Sequence, residues 1–207
     1  MTRLLPYGPR AVLGEYDDLP QVMAVAEAVR VARLPGVTDI VPAARTVLVT
    51  YQPGTDMALL RTMLEPSTSG SATSAALSTA TGSATVVPVR YDGADLAHVA
   101  ERCGLTMADV VDMHAGVEYV SAFCGFMPGF AYLVGLDQRL QLPRRATPRT
   151  AVPPGSVAIA SEFTAIYPGA SPGGWHLLGT TDIVLWNDAA DPPALLAPGT
   201  RVRFEPT

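Results

Sequence analysis

Apolar residues recur at helical spacing in the first third of this chain and give way to short, turn-bounded runs toward its end. Val22, Val25, Ala26, Val29 and Ala32 lie three and four residues apart, so Pro20–Arg33 is predicted to be an amphipathic helix with Pro20 near its first turn. Short apolar runs at Ala11–Glu15, Val37–Val41 and Thr46–Tyr51 predict strands, and Asp56–Leu64 predicts a second helix. That β-α-β-β-α order predicts a small ferredoxin-like α+β domain needing one more strand.

From Pro66 to Ala84 every residue except Pro66 and Leu77 is Ser, Thr, Ala or Gly, and none is charged. Such a stretch buries too little to offset its ordering entropy and is read as a linker or surface loop. Residues 1–85 therefore form the first expected domain, with 66–84 as its trailing linker, and 86–207 the second. The second opens with a strand, Thr85–Tyr91, and two helices. Leu96–Cys103 ends at Gly104, and Thr106–Ala115 begins with a Thr106/Asp109 capping pair. A helix–turn–helix reading of this hairpin fails on charge, because the second helix carries Asp109 and Asp112 and no arginine. Beyond Gly116, β-signals dominate, including Ser156–Ile159, His176–Leu178, Ile183–Trp186 and Arg201–Phe204, and predict a barrel or sandwich of short strands.

Composition narrows the chemistry. All 14 basic residues are arginines, so a Schiff base, a lysine base or a Walker lysine has no residue to supply it. A formal charge of −5 argues against a nucleic-acid binder. No run of 18 apolar residues occurs and no signal-like N-terminus is seen, so the expectation is a soluble, cytoplasmic protein without a membrane partner. Cys103 and Cys124 with three scattered histidines make no metal site, and two buried thiols are expected.

The densest chemistry lies between Phe123 and Thr181. Arg139, Arg144, Arg145 and Arg149 face only Asp137 and Glu162 within this stretch, making it locally basic. A planar guanidinium can grip a carboxylate or phosphate through two parallel hydrogen bonds, so Arg144, Arg145 and Arg149 are candidate anion ligands; pairing with surface acids or a partner is the alternative. Ser171, Gly173 and Gly174 could present backbone N–H groups as an anion nest, with Trp175 either a pocket wall or a core residue. Phe126, Pro128, Gly129 and Phe130 either line a pocket mouth or pack a turn, and Tyr132 and Tyr167 either donate to the same site or each hold one structural partner. Cys124 has no histidine beside it in sequence and is a poor nucleophile candidate.

These motifs carry a resemblance. Gly125-Phe126-Met127-Pro128-Gly129-Phe130-Ala131-Tyr132-Leu133, Pro143-Arg144-Arg145-Ala146-Thr147-Pro148-Arg149, Val152-Pro153-Pro154-Gly155-Ser156-Val157, Ile166-Tyr167-Pro168 and Ser171-Pro172-Gly173-Gly174-Trp175 occur in order. Leu34-Pro35-Gly36-Val37, the Pro88–Gly93 segment and His114 precede them. Together they resemble the B component of bacterial ATP-dependent 5-oxoprolinase, also called allophanate hydrolase subunit 1, a family that includes Kip-type inhibitors of histidine kinases.

The resemblance implies a ferredoxin-like α+β domain followed by a cyclophilin-like β-barrel. It further implies a carboxyltransferase-like partner, the C component of a hetero-oligomer, and a third component, with ATP used by the complex to open 5-oxoproline to glutamate. His114, the one histidine that the resemblance places, sits at a helix C-terminus where the dipole favours its charged form; it is a candidate catalytic general acid or, when charged, an anion ligand, with a structural cap on backbone carbonyls as the alternative. A urea-derived reaction (an allophanate hydrolase or urea carboxylase component) and non-catalytic kinase inhibition are the alternatives. The chain departs from the family at Ser161-Glu162-Phe163-Thr164-Ala165, where Gly-Gly-Gln-Thr-Gly is usual. It departs again at His176 and Thr180, where Gln and Arg are usual.

Overall fold

The computed structural model describes residues 3–65 and 83–207. The chain forms two compact units, Met1–Thr79 and Ala80–Thr207. The expected linker lies almost wholly outside the described residues. None of the described helices is long and apolar enough to cross a membrane.

The first unit runs β1 (Arg3–Pro6), β2 (Ala11–Glu15), α1 (Leu19–Ala32), β3 (Val37–Pro42), β4 (Thr46–Tyr51) and α2 (Met57–Met63). Its sheet has the order β1-β2-β4-β3, with every neighbouring pair antiparallel. The strand missing from the sequence reading is β1. It comes before the β-α-β-β-α unit, in a hairpin that sets Leu4 opposite Gly14. Four residues ending in proline carry almost no strand signal, which is why periodicity misses it.

Helix α1 starts where the Asp18 carboxylate accepts the Gln21 amide and stops where Arg33 turns left-handed at φ 45°. Val22, Val25, Ala26 and Val29 are buried as expected, but Ala32 is exposed. The reversal at Arg33 turns the chain so that Leu34 reaches the core instead. The Tyr16 hydroxyl donates to the Leu64 carbonyl at 2.9 Å, and burial pushes its pKa up to about 12.

The second unit holds β5 (Thr85–Val89), α3 (Leu96–Cys103), α4 (Met107–Ala115), β6 (Glu118–Cys124), β7 (Ala131–Val134), a 3-10 turn (Gln138–Leu140), β8 (Arg149–Val152), β9 (Ser156–Ala160), β10 (Phe163–Ile166), β11 (Ser171–Gly173), β12 (His176–Thr180) and β13 (Arg201–Pro206). Seven strands form one sheet in the order β12-β9-β10-β7-β6-β13-β5, and a bridge between Arg90 and Thr180 brings its two edges together. The result is a nearly closed barrel in an α+β chain. The β8–β11 pair forms a separate ribbon.

The α3–α4 hairpin sends Leu96, Val99, Ala100 and Val110 into the barrel core beside Val87, Leu178 and Phe204. Thr106 and Asp109 form the reciprocal capping box that the sequence suggested. Burying those apolar faces is what anchors the hairpin to the sheet.

Two expectations need correcting. Ile183–Trp186 is not a strand; only Trp186 makes an isolated bridge, to Ala194, while Leu185 is buried. The departure at 161–165 spans a turn and the start of a strand. Only Ser161 and Glu162 turn, and Phe163, Thr164 and Ala165 are buried residues of β10. Ser161 takes φ 50°, a left-handed conformation that glycine adopts without strain. The cysteines are both free and partly, not fully, buried.

Candidate anion-binding cleft

A cleft of about 630 Å³ opens between helix α3 and the segment after the 3-10 turn. His98 and Arg102 line one wall, Arg144 and Arg145 the other, with Asp95 and His176 also on its lining. Two of the three expected arginines therefore reach one concave surface. The third, Arg149, is tied to it through Asp95.

Asp95 is the centre of this arrangement. Its side chain is only 3% exposed, yet one carboxylate oxygen, Oδ1, accepts from Arg145 Nη1 at 2.6 Å and Arg149 Nη2 at 2.8 Å. The other, Oδ2, accepts the Leu177 amide at 2.8 Å. Burial pushes the Asp95 pKa up, but the hydrogen bonds from Arg149 and the Leu177 amide, with the charges of Arg149 and Arg145, outweigh it. The carboxyl is held below its ordinary value. A buried carboxylate thus fixes two guanidinium groups. Arg145 Nε and Arg149 Nη1 remain buried with no hydrogen-bond partner among the described residues.

Backbone stitching holds the walls. Arg145 donates its amide to the Gly174 carbonyl at 2.7 Å, and His176 Nε2 donates to the Pro143 carbonyl at 2.9 Å. The His98 and His176 rings stack with centroids 5.8 Å apart. Arg144 lies over Trp175, its guanidinium carbon 6.0 Å from the ring centroid.

Trp175 is buried and meets Phe130 and Tyr132 edge-on. It is both a core residue and the floor beneath Arg144. Phe126, Phe130, Tyr132 and Tyr167 continue this aromatic cluster. Phe126 is 61% exposed at φ 73°, its carbonyl side pinned by a Met127 amide bond back to Gly125. Pro128 and Gly129 form the turn closed by Phe130 N–H to Met127 O, where Gly129 supplies φ 80°.

The expected glycine nest takes another form. Ser171–Gly173 is a strand paired with β8, and neither Gly173 nor Gly174 has the positive φ that turns consecutive amides inward. Gly173 is required for packing: a Cβ there would lie 2.5 Å from the Tyr167 hydroxyl.

His114 does not line the cleft. It is fully buried, stacked on Phe204, with Nδ1 2.7 Å from the Tyr91 hydroxyl and Nε2 2.8 Å from Thr164 Oγ1. Thr164 gives its own proton to the Ala158 carbonyl, so it accepts from Nε2–H, and Nδ1 accepts from Tyr91. Burial depresses the His114 pKa to about 3, which overrides the helix-end argument for a charged ring. The proton-donor role implied for it is not supported by this neutral, enclosed position.

A stability consequence follows. The folded pKa lies below the ordinary histidine value near 6.5. Between those values the unfolded chain binds a proton that the folded chain refuses. Stability is then expected to fall by about 1.4 kcal/mol per pH unit as pH drops from about 6.5 toward 3. Urea unfolding of wild type and His114→Gln across that range checks this; the variant should lose this component of the slope.

Asp95, His98 and Arg102 were not found from sequence. Asp95 stands immediately before a helix, where aspartate ordinarily reads as an N-cap. It makes no cap hydrogen bond here, because its carboxylate turns to the arginines. Those partners lie 50 and 54 residues away.

The cleft is an arginine-lined recess on an α+β barrel, and the chain belongs to the family described as carboxyltransferase domain, subdomain C and D, which matches residues 2–196. The relatives it resembles are more specific. It is 53% identical over 123 residues to the 5-oxoprolinase B component of Escherichia coli O157:H7, covering 58% of this chain and 56% of that one. It is 42% identical over 121 residues to the protein of the same name from Bacillus subtilis (strain 168), covering 57% and 50% respectively. The matched stretch thus spans about half the length of these curated relatives.

Among solved structures, TTHA0988 superposes with a TM-score of 0.76 at 35% identity, over 96% of this chain and 40% of that one. Kluyveromyces lactis urea carboxylase shares the fold, with a TM-score of 0.65 at 20% identity over all of this chain and 22% of that one. The family resemblance read from the motifs holds. The family matched by this chain is itself described as a carboxyltransferase one.

Proposed function

We propose that this chain is the B component of a 5-oxoprolinase-type enzyme, an ATP-dependent cyclic-amide hydrolase of the cytoplasm. It acts with a carboxyltransferase-like C component and a third component. The observation that carries this reading is the Asp95-anchored arginine cleft in a chain 53% identical, over 123 residues, to a protein named as the B component of 5-oxoprolinase. Arg144 and Arg145 grip the substrate carboxylate, Arg149 supports them through Asp95, and Trp175 with the Phe126–Tyr132 segment provides the apolar side. With no lysine in the chain, no Walker loop of its own holds ATP, and the nucleotide is assigned to the assembly.

The test is 5-oxoproline-dependent ATP hydrolysis by the three mixed components. Omitting this chain is expected to reduce turnover to background. Unchanged turnover without it would end the proposal.

A further inference from the structure

We infer that the cleft is built for a molecule carrying two separated anionic groups, and that Arg102 is the residue that selects it. This deepens the proposed function and rests on it for the choice of carbon skeleton. Asp95, the one acid on the cleft's lining among the described residues, is already shared by Arg145 and Arg149. Arg102, in the last turn of α3, and Arg144, on the opposite wall, are both exposed and make no ion pair among the described residues. Counting Arg102, Arg144, Arg145 and Arg149 against Asp95 leaves an excess of three positive charges at one recess of a chain whose net charge is −5.

A single carboxylate on the Arg144–Arg145 wall leaves the α3 wall without a counter-charge. Arg102 lines the α3 side of the cleft and Arg144 and Arg145 the other, so an anionic group at the far end of a short chain would supply the counter-charge that the α3 wall lacks.

The chemistry of the proposed reaction supplies such a molecule. Hydrolysis breaks the lactam C–N bond; the nitrogen takes a proton from water and the carbonyl carbon takes the hydroxyl. The new acid ionises to a second carboxylate and its proton passes to the freed amine, which becomes an ammonium. The cyclic substrate has one carboxylate and the opened product has two. A cleft that favours the second state binds the opened product more tightly than the ring, and accelerates the step only through the part of that charge already present on the carbonyl oxygen in the transition state.

The experiment is a titration of the purified full-length chain at low ionic strength with glutarate, butyrate and 5-oxoproline, followed by calorimetry, for wild type and Arg102→Gln. Arg102 is exposed, so the variant is expected to fold normally. Glutarate should bind at least about fivefold more tightly than butyrate or 5-oxoproline, as expected for one added charge contact at a partly exposed site. Arg102→Gln should bring glutarate down to the butyrate level and leave butyrate unchanged.

Butyrate binding within twofold of glutarate overturns the inference, as does an Arg102→Gln variant that keeps its glutarate preference. Absence of binding by all three at millimolar concentration does the same. Failure of the functional reading is distinguishable: a chain dispensable for ATP hydrolysis yet selective for glutarate would remove that reading and leave this one standing.

Discussion

Asp95→Ala is expected to lower the unfolding free energy by about 3 kcal/mol, the lower part of the range for removing one member of a buried charge cluster. The lower part applies because Arg145 and Arg149 are 31% and 22% exposed, so water reaches part of each guanidinium. The change would leave two guanidiniums without their shared carboxylate and the Leu177 amide without an acceptor. Asp95→Asn keeps an acceptor for one donor and should lose less. Pairing Asp95→Ala with Arg149→Leu should recover part of the loss, since the second change removes one orphaned charge. Urea unfolding at neutral pH measures all three. A loss below about 1 kcal/mol for Asp95→Ala would mean that water already screens the cluster.

The Asp95 carboxyl is held below its ordinary value in the folded chain. Its contribution is therefore complete above the ordinary carboxylate pKa and is lost as pH falls through the lower, folded value. That loss begins near the ordinary carboxylate value of 3.8, at the acid end of the His114 window, so the upper part of that window reads His114 alone.

The second large effect is expected at Gly93. A Cβ there would lie 2.3 Å from both the Leu177 oxygen and the Leu178 carbonyl carbon, which are backbone atoms of β12 and cannot turn aside. The same segment is held to β12 by Gly93 N–H to Leu178 O at 3.1 Å and Asp95 N–H to Leu177 O at 3.0 Å. Gly93→Ala must push the two apart, and the displaced segment carries Asp95. Destabilisation of about 3 kcal/mol is expected, at the upper end for overpacking, together with weaker anion binding. Gly169→Ala is the control, because its Cβ would meet only Met127 Cε at 3.7 Å, an ordinary contact with a flexible side chain. Thermal and urea melts of both variants decide the matter; equal, small losses would show that β12 can shift.

Much of the fold was legible because its signals are local. The strand Thr46–Tyr51 and the helix Leu96–Cys103 can be read to the residue, since alternation and a terminal glycine are written in consecutive positions. Strand β1 and the false strand at Ile183–Trp186 show the limit. Whether a short apolar run pairs depends on a neighbour elsewhere in the chain: Arg3–Pro6 has β2 beside it, and Ile183–Trp186 has only an isolated bridge.

The same division applies to the site. Arg144 and Arg145 stand out because arginines crowd one segment with few acids. His114 is misjudged from sequence because helix-end electrostatics are visible there whereas burial against Phe204 is not. The sequence by itself determined the two-part α+β layout, the family motifs and the arginine-rich stretch, all of which are properties of neighbouring residues. Only the tertiary structure decided that Asp95 clamps Arg145 and Arg149, that His98 and Arg102 face them, and that His114 is neutral core. Charge pairing and desolvation act through space, between residues that the chain order keeps tens of positions apart.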